Sequence, residues 1–198
     1  MVHPMLEKLK DFYSQFSFLE IKDVALLLEM SSIRTVKTNE VIVRSGDLNY
    51  DMFLVLRGML RAHVVKSNGD ERTVHLASEG MIVGSPRTFG LGMPTNENIT
   101  ALEDSWLAVY DIRRFEELAD KNPKIQKFYR DSLKRNFLEA VSRVEFHTVM
   151  SPEERYMHYQ KNHPEIIQRV PQIHLASYLG VTPVSLSRIR SRVSGSKK

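Results

Sequence analysis

The feature that most constrains this chain of 198 residues is its change of period at Ile33 and again near residue 120. Between those points the apolar residues come in short β-type runs: "EVIV", "DMFLVLRG", "MLRAHVV", "ERTVHLA", "MIVG", "NITAL" and "SWLAVY". Turn signals separate them at Ser45-Gly46-Asp47, Gly58, Ser67-Asn68-Gly69-Asp70 and Glu79-Gly80. Many short strands with frequent turns imply a sandwich, jelly roll or small barrel. Asn68-Gly69 reads as a two-residue hairpin turn, since both residues tolerate the positive φ of a type I′ turn.

Helical spacing brackets this region. Residues from about 5 to 30 read as helix, with apolar positions at Leu6, Leu9, Phe12, Tyr13, Leu19, Ile21, Val24, Leu27 and Leu28. After "FEELADKNP", Pro123 suits a first helical turn. Behind it, Ile125, Tyr129, Leu133, Phe137, Ala140 and Val144 form one stripe at spacings of four and three. A helix of about 25 residues would run about 38 Å. Such a stripe can pack on its own domain or pair with its copy in a dimer, and its length favours the dimer. Ser151-Pro152-Glu153-Glu154 opens a further helix: Ser151 as N-cap, Pro152 at N1, Glu154 closing a capping box. The tail "SGSKK" is expected to fray.

Charge divides the chain. Residues 1–120 carry 13 Lys and Arg against 18 Asp and Glu; residues 121–198 carry 15 against 6. A basic second part suggests a polyanionic partner, with a solvated basic face as the alternative. There is no cysteine, which removes disulfides, thiol sensing and Cys-ligated metals. No apolar run approaches the roughly 18 residues of a membrane span, and the N-terminus lacks a signal-peptide core, so a cytoplasmic protein with no membrane partner is expected. The seven histidines show no clustered metal-ligand pattern, so neither a metal site nor a catalytic residue is assigned and an enzyme is not expected. The segment "GSPRTFGLGMP" lacks the Gly-Lys-Ser/Thr ending of a phosphate loop and reads as a connection.

The stretch "QIHLASYLGVTPVSLSRIRSRV", from Gln172 to Val193, reads as a helix-turn-helix. Ala176 is small where a second helix crosses, and Gly180 supplies the turn. Leu175, Leu179, Val181, Leu186 and Ile189 fill the shared core, while Thr182 and Pro183 start the second helix as N-cap and N1. With Leu186 and Ile189 inward, Val184, Arg188 and Ser191 point outward, flanked by Ser185, Ser187 and Arg192. That face suits the major groove of double-stranded DNA: Arg188 for guanine O6/N7, hydroxyls for phosphates, Val184 for a thymine methyl. Thr182, Ser185, Ser187, Arg190 and Arg192, with Gln172, are assigned to phosphates. No acidic residue follows Glu165.

In order, these segments resemble the cyclic-AMP receptor (Crp/Fnr) family of bacterial transcription regulators. The run carried by Gly46, Leu54, Val55 and Gly58 looks like the family's β-roll pattern. "ALEDSWLAVYDIRRFEEL" resembles its last strand and following helix, and "KNPKIQKFYRDSLKR" the start of its dimer helix. The resemblance implies an α+β chain with three parts. Residues 1–120 would form a cyclic-nucleotide-binding-like jelly-roll domain (a double-stranded β-helix), 121–148 a dimerisation helix, and 149–198 the helix-turn-helix domain. It also implies a homodimer on a two-fold symmetric operator with half-sites about 34 Å apart, contact with RNA polymerase, and a small-molecule effector in the roll.

The ligand cassette departs from the family's. The expected Gly-Glu pair is Gly84-Ser85, the expected Arg-Ser pair is Thr95-Asn96, and the nucleobase-reading hydroxyls on the dimer helix are Ala140 and Val141. Arg87 is the only basic residue between Ala77 and Ala108. A buried phosphate needs a cationic or multi-donor partner, so cAMP and cGMP are disfavoured as ligands. The cofactor is left unknown, with haem on a His or Met still open, and the alternative is a roll that binds nothing small and serves as a dimer scaffold. Past the recognition helix the sequence carries only "SRVSGSKK", so the expected domain lacks the terminal wing hairpin, with Lys197 and Lys198 partly replacing its charge. Val184 stands where the family has an acidic residue, which puts the usual half-site sequence in doubt. The competing reading is a ligand-binding or protein-interaction module, a haem sensor included, whose helical end does not read DNA.

Overall fold

The computed structural model describes residues 12–195. Leu6, Leu9, Lys197 and Lys198 therefore lie outside the described residues. Residues 12–14 are helical, but the chain turns twice before α1 (Ile21–Glu29) begins. The single helix expected over residues 5–30 is interrupted because Tyr13 and Phe16 carbonyls accept turn bonds from Phe16 and Leu19 N–H, each at 2.9 Å. Glu20 then restarts the helix with a capping box, its N–H donating to Asp23 Oδ2 at 2.9 Å.

Eight strands follow: β1 (Ser32–Val36), β2 (Val41–Val43), β3 (Asp51–Arg57), β4 (Leu60–Val65), β5 (Glu71–Ala77), β6 (Ile82–Val83), β7 (Asn98–Ala101) and β8 (Ser105–Asp111). They form two four-stranded sheets, ordered β1-β8-β3-β6 and β2-β7-β4-β5. Strands distant in sequence lie side by side, as in a jelly roll: β1 pairs antiparallel with β8, Ser32 opposite Val109 and Val36 opposite Ser105. The helix α2 (Pro86–Leu91) occupies "GSPRTFGLGMP", read from sequence as a plain connection. Ser85 caps it and Gly92 ends it in the left-handed conformation, which the sequence reading did not weigh.

The hairpin between β4 and β5 is not the type I′ turn that Asn68-Gly69 suggested. Only Gly69 has positive φ there, at 86°. Its N–H donates to Lys66 O at 2.9 Å, and Lys66 N–H donates to Asp70 O at 2.9 Å. The Asn68 side chain explains the choice. Its Oδ1 accepts from Asp70 N–H at 3.1 Å, which favours a longer loop closed by one left-handed glycine.

Then come α3 (Ile112–Lys121), α4 (Pro123–Thr148), α5 (Pro152–Asn162), α6 (Pro164–Arg169), α7 (Gln172–Leu179) and α8 (Pro183–Gly195). The chain divides into two compact units. One comprises Met1–Ala62 and Ala77–Arg135, the other His63–Leu76 and Asn136–Lys198. The core of the first joins Phe12, Tyr13, Phe16, Leu54, Leu56, Phe115, Ile125 and Phe128. Phe16 meets Phe128 edge-on at 4.6 Å between ring centroids. The Tyr13 and Tyr110 hydroxyls share a 2.6 Å hydrogen bond inside it, and burial raises both phenol pKa values. The second core collects Phe146, Tyr156, Tyr159, Ile166, Leu175, Tyr178, Leu179, Leu186 and Ile189. Arg155, nearly buried, donates to the His147 and Met150 carbonyls at 3.4 and 3.1 Å and so closes the C-terminal end of α4.

Along α4 the expected stripe divides. Ile125 is fully buried, while Leu133, Phe137 and Val144 are 50%, 67% and 63% exposed. Exposed large apolar side chains at i, i+4 and i+11 on one helix are unusual unless something covers them.

Candidate nucleic-acid interface

The interface is built from α7 and α8 and the turn between them. Ser151 and Glu154 form the expected capping box, with bonds of 3.3 Å and 2.7 Å, and so fix the start of α5. The α7 helix ends at Gly180, whose φ of 75° is left-handed. Thr182 then caps α8: its Oγ1 accepts from Ser185 N–H at 3.1 Å and donates to Ser185 Oγ at 3.0 Å. Gln172 ties the start of α7 to the start of α8 by donating from Nε2 to Pro183 O at 3.2 Å. Leu175, Ala176, Leu179, Leu186 and Ile189 are buried between the helices. The sequence spacing assigned the core to Leu175, Leu179, Leu186 and Ile189, with Ala176 as the small residue at the crossing; Val181, expected in the same core, is only half-buried and lines an open cleft.

Thr182, Ser185, Arg188 and Arg192 share one open cleft of about 610 Å³ with Gly180, Val181, Ile189 and Pro152. Arg188 is exposed. Val184 is 62% exposed at the first turn of α8, and Ser187 is exposed beside it. Arg192 is engaged by Glu153, with Nε and an Nη donating to Oε2 at 3.0 and 2.9 Å. Arg190 does not join the cleft. Its guanidinium donates to Ile167 O at 3.4 Å and lies 6.0 Å from the Tyr156 ring, so it serves the domain interior.

One cleft residue escaped the sequence reading. Arg72 of β5 lines it, and a Cβ placed on Gly180 would lie 3.1 Å from an Arg72 guanidinium nitrogen. The neighbouring backbone is pinned to α7: Ser177 Oγ accepts from Thr73 N–H at 2.9 Å and donates to Glu71 O at 3.3 Å. Nothing in "ERTVHL" signals this, because the contact spans over a hundred residues. The surroundings are electropositive. The His147 imidazole is held below its usual pKa by burial first, then by Arg155, Arg72 and Arg143. Half-buried His75 is pushed down to about 4 by burial, then by Arg143 and His163.

Among the sequence-assigned ligand residues only Arg87 carries a positive charge. Ser85 is buried, and its hydroxyl oxygen serves α2, accepting from Thr88 N–H at 3.3 Å and Thr88 Oγ1 at 3.0 Å. Gly84 lies under the Phe89 ring, where a Cβ would come within 2.6 Å. Thr95 is also buried, with Oγ1 accepting from Glu97 N–H at 3.2 Å, while Asn96 is exposed. Arg87 is exposed, its guanidinium 4.0 Å from Met93 Sδ. On α4, Ala140 is half-buried and Val141 is 39% exposed. Among the described residues no cluster of three His, Asp or Glu could hold a metal ion, and no helix is long and apolar enough to cross a membrane.

Residues 33–122 match the sequence model of the cyclic nucleotide-binding domain family. No curated protein sequence matches the chain. Among solved structures it is similar to FixK2 from Bradyrhizobium japonicum, with a TM-score of 0.71 at 15% identity over 84% of this chain and 86% of that one. It is similar to the CLP regulator of Xanthomonas campestris, described as c-di-GMP responsive, with a TM-score of 0.68 at 17% identity over 90% and 93%. The Thermus thermophilus catabolite activator protein gives 0.55 at 20% identity over 92% and 87%. The chain shares the fold of these structures, with a jelly roll, a long helix and a C-terminal pair of helices about a tight turn.

Proposed function

We propose that the chain is a homodimeric DNA-binding transcription regulator whose α8 enters the major groove. The carrying observation is the outer face of α8. Arg188 projects there beside exposed Val184 and Ser187, with the Thr182 and Ser185 hydroxyls at its N-terminal end. Arg188 reads a guanine edge, and Thr182, Ser185 and Gln172 position the helix on phosphates. Arg192 makes its phosphate contact at the expense of the Glu153 pair. The exposed stripe of α4 pairs with its copy, so that two recognition helices meet a two-fold symmetric operator about one helical turn apart. The β-roll domain, about residues 1–120, is the sensing part, and its effector is not cAMP. Ser85 and Thr95, the residues at the cassette positions, offer no cation for a cyclic phosphate, and their hydroxyl oxygens already accept from the Thr88 and Glu97 N–H groups.

Selection of bound sequences from a random duplex pool, followed by titration of the enriched site at fixed salt, tests this reading. Arg188→Ala should cost about 1–3 kcal/mol on the selected site and relax the preference at one base pair of each half-site. Unchanged affinity and unchanged preference would remove Arg188 from base readout. Absence of any enriched two-fold sequence would refute the regulator itself.

A further inference from the structure

The geometry points to the β4–β5 hairpin as a second DNA-contacting element, with Arg72 donating to a backbone phosphate at the turn of the helix-turn-helix. This rests on the DNA-binding reading above and extends it to a residue over a hundred positions upstream. Three observations carry it. First, the hairpin segment His63–Leu76 belongs to the same compact unit as α5–α8. Second, the backbone on either side of Arg72 is fixed: Glu71 O and Thr73 N–H both bond to Ser177 Oγ on α7. The base of the Arg72 side chain therefore has a fixed position relative to α7. Third, Arg72 lines the same cleft as Arg188, Arg192, Thr182 and Ser185, and its head lies over Gly180. Arg192 is paired with Glu153, whereas Arg72 and Arg188 have no ion pair among the described residues.

The turn leaves room for this arrangement. Gly180 is left-handed and carries no side chain, so a guanidinium can lie over the backbone where the two helices meet. The cleft presents donors of a phosphate site: two unpaired guanidiniums, a third shared with a carboxylate, and the Thr182 and Ser185 hydroxyls at a helix start. Arg188 at the major-groove face and Arg72 above the turn would bracket a groove edge. The contact is sequence-independent, so it adds to affinity on every duplex.

The test uses the full-length protein and fluorescence anisotropy on two unrelated duplexes of about 30 base pairs, each over a salt series. Arg72→Gln should lower the slope of log affinity against log salt by about 0.9, weakening binding about eightfold near 0.1 M salt and hardly at all near 1 M. The loss should be equal on both duplexes, and Arg72→Lys should restore most of the slope. If Arg72→Lys and Arg72→Gln weaken binding alike with the wild-type slope retained, Arg72 only packs on the turn and the inference fails. It fails also if Arg72→Gln matches wild type while Arg188→Ala weakens binding; the helix then reads DNA without the hairpin. If the wild-type protein shows no salt-dependent binding, the underlying regulator reading falls with it. A thermal-shift titration with inorganic phosphate separates the remaining source. Stabilisation of wild type but not of Arg72→Gln, with unchanged DNA slopes, would make the cleft a site for a free anion and overturn the assignment to DNA.

Discussion

Phe137→Ala should dissociate the proposed dimer without melting α4. Phe137 is 67% exposed in the single chain. A phenylalanine buries about 150–250 Å² in all, so about 100–170 Å² remains for a partner to cover. At about 25 cal/mol per Å² that area is worth about 2.5–4 kcal/mol in each protomer. Two-fold symmetry doubles the figure, and incomplete coverage at a helix–helix seam takes back about half, leaving about 3 kcal/mol. The dissociation constant should therefore rise roughly a hundredfold. Alanine is the best helix former, so the helix itself should persist. Sedimentation equilibrium at several loading concentrations measures the constant, and far-ultraviolet circular dichroism checks the helix. A variant with intact helicity and a wild-type dissociation constant would show that the stripe is not the dimer seam.

Two further expectations concern the scaffold. Gly58→Ala should destabilise the roll by about 3–5 kcal/mol in urea unfolding. Its φ is 98°, and a Cβ would lie 2.8 Å from the Ser105 backbone, displacing the hydroxyl that accepts from Met59 N–H at 3.1 Å; a loss under 1 kcal/mol would refute the close approach. His75, with its pKa lowered to about 4, stays neutral in the fold while the unfolded chain binds a proton near pH 6.5. Its contribution to stability is therefore complete above about pH 6.5 and is lost as pH falls towards 4, by about 1–3 kcal/mol. His75→Gln should flatten stability against pH across that window, and an unaltered profile would exclude His75 as the source.

Legibility followed the range of the interactions. The start of α8 was readable because Thr182 bonds to Ser185, three residues on, and Pro183 fixes its own φ. The Ser151 box was readable for the same reason. Gly180 was readable because a left-handed turn selects its residue type. β1 was not identified as a strand: its burial alternates weakly, and its partner β8 lies some seventy residues away. The hairpin signal was present, but Asn68 settled its turn type through its own side chain. Arg190 was assigned to a phosphate by its charge, yet its guanidinium on a long stem reaches back to Ile167 O. Arg72 could not be found at all, because no local pattern encodes a strand from the middle of the chain arriving at the C-terminal helices.

That arrival limits how the molecule can be taken apart. A fragment beginning at residue 136 would hold α5 to α8 but would omit the strand segment that shares their compact unit. The Ser177 hydroxyl would lose both backbone partners, and the cleft one of its three guanidiniums. A graft made by a single cut in α4 would leave part of this unit behind; one that preserves the unit must also carry residues 63–76, so the unit of exchange is discontinuous in sequence.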